Sequence, residues 1–391
     1  MFSERDFVKM SIRLFSMLWI FSVVFSLLSC EEETTQQEKF PSRNFIKTGH
    51  YLGDYYPTIE WRECSPAEVG LDTEVLKAMN DDIAELVNTG YNIHSVVIVR
   101  KGYIVAEQYY SRYFDKDTEH KLASCTKSFT SALVGIAISE GYILGTDVKM
   151  LDYFQDYEIE NMSPQKQNIT LEHMLTMSAG LDWNELDYLY TDPLNTNYQW
   201  KRSDDWIQFV LDRPMEYSPG EVNDYNSGLS ELLAAIIQKA TGIRADSFAL
   251  EKIFIPLGID DYYWPTNPQG YARGGGGVRL IPRNMAKFGY LHIMNGQWED
   301  EQIIPEEWII ESRKKHIISQ HIPGFYYGYQ FWISESGLMY TALGYGGQWI
   351  MIIPEYDLVA VFTNHFVEGD QDQWITPIRL LNDYVLPSII E

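Results

Sequence analysis

Ser124 and Lys127 have the residue types and the spacing for nucleophilic chemistry. On a helix, positions i and i+3 share a face, so the lysine amine can lie against the serine hydroxyl. A desolvated lysine titrates low enough to take a proton from serine, which activates an otherwise weak nucleophile. The same spacing recurs at Ser163 and Lys166, and again at Ser312 and Lys315. Context separates the three. The Ser163 copy holds a proline among polar residues, and the Ser312 copy is a charged cluster on an expected surface helix. Only Ser124 heads a long apolar run, Phe129 to Ile138, which reads as a buried helix ended by Gly141. The competing reading of Ser124 is a helix-capping serine.

Two further groups fall where a serine–lysine hydrolase would need them. Tyr225-Asn226-Ser227 follows Ser218-Pro219-Gly220 and precedes a helical stretch, which places a tyrosine on a tight loop. A phenol whose pKa is lowered by a nearby lysine can relay protons between nucleophile and leaving group. Against that stands composition: with 27 tyrosines in the chain, a core or surface role is the ordinary reading. Gly344-Tyr345-Gly346-Gly347-Gln348 leads into an apolar strand. Glycines at a strand edge let substrate lie close to the backbone, and a free N–H there can help form an oxyanion hole; the plain alternative is a β-turn. The run Gly274 to Gly277 either edges the same cleft or forms a flexible loop.

The elements around these residues set how they meet. His94 to Val99 and Tyr103 to Tyr110 read as a hairpin turned at Arg100-Lys101-Gly102. Thr170 to Met177 is a short capped helix, and Ser230 to Thr241 a second helix stopped by Gly242. Between them lies an aromatic and acidic segment from Asp182 and Trp183 to Trp206. Strands return at Tyr327–Trp332, Leu338–Thr341, Gln348–Ile353 and Leu358–Thr363, before a closing helix from Asp372 to Tyr384. Strands at both ends with helices between predict an α/β (α+β) fold: one antiparallel sheet built from both chain ends, flanked by helices.

Bulk properties narrow the partners. Of 391 residues, 45% are hydrophobic, ample for a core, and the net charge is −25. Such acidity argues against nucleic acid, whose binding rests on Lys and Arg meeting phosphates. The eight histidines form no His-Glu-x-x-His, and no paired Cys-x-x-Cys occurs, so no metal and no cofactor is expected. No Gly-x-Ser-x-Gly is present, which weakens an α/β-hydrolase reading. Cys64 and Cys125 are expected as buried thiols rather than a disulfide.

The first residues read as export machinery. Lys9 and Arg13 precede an apolar stretch, Leu14 to Leu28, which is short for a spanning helix. It ends Leu27-Leu28-Ser29-Cys30, which resembles a bacterial lipobox, so Cys30 is expected to carry lipid and to anchor the protein to the membrane. The expected organisation is a lipoprotein signal peptide over 1–30, a polar tether over 31–55, and a hydrolase domain over 56–391. Its mostly helical region would span about 145–291. The acidic run Glu31 to Glu33 resembles surface-export signals of some Gram-negative lipoproteins. Nothing in the chain sets an oligomeric state.

In order, Ser-x-x-Lys, Tyr-x-Ser and a Gly-Gly strand edge resemble the class C β-lactamase family, which also holds D-alanyl-D-alanine carboxypeptidases, family VIII esterases and 6-aminohexanoate-dimer hydrolases. The resemblance runs from about Trp61 to Tyr384. Leu175-Thr176-Met177-Ser178-Ala179-Gly180-Leu181 is similar to the family's "LLTMTSGL", and Pro354-Glu355 with Leu358 to Val361 to its "PxxxLVVV" ending. The resemblance implies Ser124 as acylated nucleophile, Lys127 as its activator and Tyr225 as general base and acid. Backbone N–H groups of Ser124 and Gln348 would form the oxyanion hole. Ser227, Tyr345, Gly346, Gly347 and Trp183 would contact a small-molecule, peptide or ester substrate.

The departures bear on substrate. Where class C β-lactamases carry Lys-Thr-Gly, this chain has Tyr345-Gly346-Gly347, so the carboxylate-holding lysine and threonine are missing. Acidic residues Asp182, Glu185 and Asp187 are expected to repel an anion, with Arg273 or Arg279 the cations able to reverse this. An esterase or amidase is therefore favoured over a β-lactamase or D-alanyl-D-alanine carboxypeptidase. A non-catalytic binder of cell-wall peptides or β-lactams is the reading from another class.

Overall fold

The computed structural model describes residues 44–365, 367 and 372–390. Ile93–Arg100 (β1) and Tyr103–Tyr109 (β2) pair around Lys101 and Gly102, with φ of 50° and 79°. Two consecutive left-handed residues give a turn whose twist matches the strands it joins, and glycine takes the second place without steric cost. Six more strands come from the C-terminal third. They are Ile317–Ile318 (β3), Phe325–Tyr327 (β4), Trp332–Ser334 (β5), Tyr340–Gly344 (β6), Gln348–Ile353 (β7) and Leu358–Asn364 (β8).

The sheet order is β2-β1-β8-β7-β6-β5-β4-β3, and each pairing is antiparallel. The last strand lies beside the first, with Val97 opposite Val361, so the two ends of the domain close one sheet as expected. Every residue of β1, β7 and β8 is buried. Each large apolar side chain so covered contributes about 1.5–3 kcal/mol, which fixes the register of the strands around the site. The Pro282–Ile293 helix packs on β8, β7 and β1. Gly289 makes that approach possible, because a Cβ there would sit 2.6 Å from Val359.

Several expected boundaries move. Tyr327–Trp332 is not one strand. Residues 328–331 turn back between β4 and β5, with Gln330 at φ 62°. Gln330 is buried and uses its amide where a strand would use backbone: Nε2 donates to the Met174 and Leu175 carbonyls, and Oε1 accepts from Ser230. The helical region ends before Pro282, not near Leu291, because the Pro282–Ile293 helix belongs to the sheet layer. The tether does not extend to residue 55. Phe45 is buried, Glu107 N–H donates to its carbonyl, and Ile46 bridges to Ala106 on the edge of β2. The apolar stretch, Cys30 and the acidic run lie outside the described residues. Among the described residues, no helix is long and apolar enough to cross a membrane.

Candidate active site

Leu122 to Cys125 makes a tight turn that runs straight into the helix Thr126–Ser139. Thr126 through Ala137 are all buried, so this helix passes through the core rather than along its surface. Ala123, just before the serine, has φ 48°, a conformation that a non-glycine residue keeps only where its surroundings hold it. No side chain caps this helix start, so Ser124 is not a capping serine. It stands at the positive end of the helix dipole, on the side where negative charge is stabilised.

Lys127 Nζ lies 3.0 Å from Ser124 Oγ, and also donates to Ser227 Oγ at 2.9 Å and to the Gly275 carbonyl at 2.7 Å. Its side chain is 1% exposed. Burial lowers its pKa to about 8, and the nearby Glu185 carboxylate acts in the opposite direction. The amine is thus fixed on the serine and within reach of its neutral form near physiological pH. The other two copies of the spacing are structural. Ser163 caps the turn Pro164–Gln167, while Lys166 Nζ binds the Glu160 and Leu211 carbonyls. Ser312 Oγ donates to the Trp308 carbonyl of its own helix.

Asn226 caps the helix Ser227–Thr241 by accepting from Leu229 N–H, which fixes Tyr225 just outside the helix and Ser227 on its first turn. The Tyr225 phenol is within hydrogen-bonding reach of Ser124, and Lys127 Nζ is 4.8 Å from its ring centroid. Trp332 stacks on that ring at 5.6 Å and Tyr327 meets it edge-on at 6.3 Å. This enclosure corrects the expectation of a lysine-lowered phenol. Burial raises the Tyr225 pKa well above its ordinary value, so Tyr225 stands as a proton donor.

A carboxylate not assigned a role by any motif completes the arrangement. Glu185 is 2% exposed and accepts from Trp183 Nε1, Tyr190 Oη, Asn197 Nδ2, and both the backbone N–H and the hydroxyl of Ser227. With its proton committed to Glu185 at 2.6 Å, Ser227 Oγ turns a lone pair toward Lys127. Trp183, expected from the sequence to contact substrate, does not line the cleft. It packs against Trp200 and Phe209 and holds Glu185.

Ser124, Ser227, Tyr345 and Gln348 line one cleft of about 510 Å³, and Lys127 and Tyr225 lie behind its wall. Gly275 to Gly277 edge it too. A Cβ on Gly275 would stand 2.7 Å from the Ser227 carbonyl, so only glycine here lets the Gly275 carbonyl reach Lys127. Gly346 and Gly347 do not line the cleft. Their φ values of 81° and 78° make the turn from β6 to β7, which is the plain β-turn reading. That turn presents the edge at Gln348, and Cys125 Sγ donates to the Gln348 carbonyl at 3.3 Å, locking the nucleophile turn to β7. Both Cys64 and Cys125 are free and buried. Among the described residues, no group of three His, Cys, Asp or Glu side chains is placed to hold a metal.

The cleft is not acidic in the way the sequence suggested. Asp182 is bound to Arg213 at 2.6 Å, Glu185 is enclosed by donors, and Asp187 does not line this cleft. Lys121, Lys201, Arg273 and Arg279 face the same space instead, beside Glu119 and Glu231. Sequence reasoning missed Lys201 because it sits on the turn after Trp200 with no motif around it.

The beta-lactamase family model matches residues 81–382. The 6-aminohexanoate-dimer hydrolase of Paenarthrobacter ureafaciens is 23% identical over 348 residues, covering 83% of this chain and 86% of that protein. Among solved structures, a family VIII carboxylesterase superposes with a TM-score of 0.61 at 15% identity, over 81% of this chain and 98% of that one. The octameric penicillin-binding protein homologue from Pyrococcus abyssi gives 0.63 at 20% identity, over 78% and 77%. At such identities the structural likeness shows the fold alone.

Proposed function

This chain belongs to the beta-lactamase family, and from that premise we propose that it is a serine hydrolase of ester or amide bonds acting through a Ser124 acyl-enzyme. The observation that carries the reading is the buried lysine 3.0 Å from the serine hydroxyl. Neutral Lys127 takes the Ser124 proton as Oγ attacks the carbonyl carbon. Backbone N–H groups of Ser124 and Gln348 then receive the charge on the carbonyl oxygen. Tyr225 gives its proton to the departing oxygen or nitrogen and is reprotonated from the Lys127 ammonium. Water attacks the acyl carbon in the second half. Its proton passes to Lys127, and Ser124 leaves with a proton as the acid is released.

The 6-aminohexanoate-dimer hydrolase name of a relative matched over 83% of this chain supports an open-chain amide or ester substrate over a β-lactam. So does the absence of Lys-Thr-Gly at Tyr345-Gly346-Gly347. A fluorophosphonate probe tests the nucleophile. The parent should gain one covalent adduct, mapped by mass spectrometry to Ser124, and Ser124→Ala should gain none and turn over no ester. An unlabelled parent would return the chain to the class of silent binders. We further propose export and lipid anchoring at Cys30, supported by Lys9, Arg13, the apolar stretch and the lipobox-like Leu27 to Cys30; membrane fractionation of the parent tests it.

A further inference from the structure

Lys121, Lys201, Arg273 and Arg279 gather in the cleft that holds Ser124, in a chain of net charge −25. Arg279 has a counter-charge, since it acts on Glu119. For the other three, no ion pair with a carboxylate is found among the described residues. Aromatic faces support two of them instead. The Arg273 guanidinium carbon lies 5.1 Å from the Trp206 ring centroid, and Lys201 Nζ 5.7 Å from that of Tyr190. Arg273 Nε is buried with no acceptor.

The nearby carboxylates offset this group only in part. Glu231 acts on Arg273, and Glu185 and Glu231 act on Lys201, with no salt bridge to either cation found among the described residues. Glu185 is already bonded by the groups that hold it beside Lys127. Glu231 accepts from Gly274 N–H with one oxygen, its other oxygen has no partner, and burial pushes its carboxyl up to about 7. The cations act on one another as well. Burial comes first in lowering Lys201 to about 8; Glu185 acts in the opposite direction, and Arg273 and Lys121 add to the lowering. Like charges held together and partly desolvated are costly unless something arrives to pair with them. Arginine's planar fork suits a carboxylate in particular.

We propose that the substrate of this enzyme carries a carboxylate, and that Arg273 and Lys201, with Lys121 beside them, receive it. The proposal rests on the Ser124 hydrolase reading and names the substrate class for that same site. It places the anion on the glycine-run and aromatic-segment side of the cleft, by residues unrelated to the missing Lys-Thr-Gly. In a strongly acidic protein such a cleft also attracts an approaching anion.

The test compares esters matched except for charge. Mono-4-nitrophenyl glutarate is set against 4-nitrophenyl butyrate, and 4-(butyryloxy)benzoate against its methyl ester, so the carboxylate is tried on the acyl and on the leaving side. In the parent, at least one charged ester should exceed its neutral partner in kcat/KM by tenfold or more. That ratio should fall at least tenfold in Arg273→Gln and in Lys201→Gln, be largely kept in Arg273→Lys, and shrink as salt is raised. Thermal melts establish that each variant is folded. Ratios at or below one for both pairs, or ratios that neither glutamine variant moves, overturn the proposal. If the parent cleaves no ester, the hydrolase reading fails and calorimetry decides the anion site. Glutarate binding at least tenfold tighter to the parent than to Arg273→Gln supports it, and equal or absent binding overturns it.

Discussion

The chemistry of Ser124 depends on how few of its neighbours are free to do anything else. Lys127 has three acceptors and no exposure to speak of, so its amine is aimed rather than mobile. A lysine lowered to about 8 must lose a proton before it can act as base, so kcat/KM for a neutral ester should rise with pH through about 8. Lys127→Ala should lose activity by roughly 10²–10⁴-fold. Glu185 holds the lysine's pKa up, so removing its charge has a definite sign. In Glu185→Gln the ascending limb should move to lower pH. The same change introduces an amide donor among the groups that now donate to Glu185, at a cost to stability of about 1–3 kcal/mol. Stopped-flow pH profiles and denaturant melts read both. A limb that moves to higher pH, or stays in place, would remove Glu185 from any role in tuning Lys127.

Helix starts and glycines place the site at the scale of elements. Ser124 and Ser227 both lie at the N-termini of buried helices, Thr126–Ser139 and Ser227–Thr241, which pack against each other and bring the two hydroxyls to one amine. Gly275 supplies the third acceptor only because it has no side chain. Gly275→Ala would drive a Cβ into the Ser227 backbone at 2.7 Å, forcing the loop or the helix start to shift. The expected result is a loss of about 1–3 kcal/mol in stability, as for overpacked cores. Esterase activity should fall more than tenfold, because the Lys127 amine loses its position. Calorimetric melting and ester kinetics on one preparation test this, and a variant with parental kinetics would show that the Gly275 carbonyl does not position Lys127. Tyr225 is placed by the same logic, one residue outside an Asn226 cap.

For the whole molecule, the sheet that closes the two chain ends is the frame, and the cleft lies where its β6–β7 edge meets the buried helices. The described fold begins by Phe45, so any lipid at Cys30 would hold the enzyme through a short segment only. Cys30→Ser should then move activity from the membrane to the soluble fraction, or leave unprocessed precursor. Full-length, unmodified parent protein recovered from the cytosol would remove the lipoprotein reading.

The sequence by itself determined the family, the hairpin at Lys101-Gly102, the buried helix behind Ser124 and the order of the three motifs. The hairpin, the helix and each motif taken singly are local, a turn, a period or a spacing within a few residues, and the family follows from the order in which the motifs recur along the chain. It also contained the reason to prefer Ser124 over Ser163 and Ser312, because apolar neighbours predict burial and burial is what lowers a lysine. The rest depended on contacts between segments far apart in the chain. Glu185 is tied to Lys127 by way of Ser227, the cations of the cleft come from distant turns and loops, and two of the acids expected to repel an anion, Asp182 and Glu185, are engaged by Arg213 and by buried donors. No periodicity marks such convergence, since side-chain pairing across a fold is set by packing geometry and leaves no repeat along the chain. Tyr225 shows the same limit. Its spacing placed it by the nucleophile, but only the surrounding Trp332 and Tyr327 decided that its phenol keeps its proton.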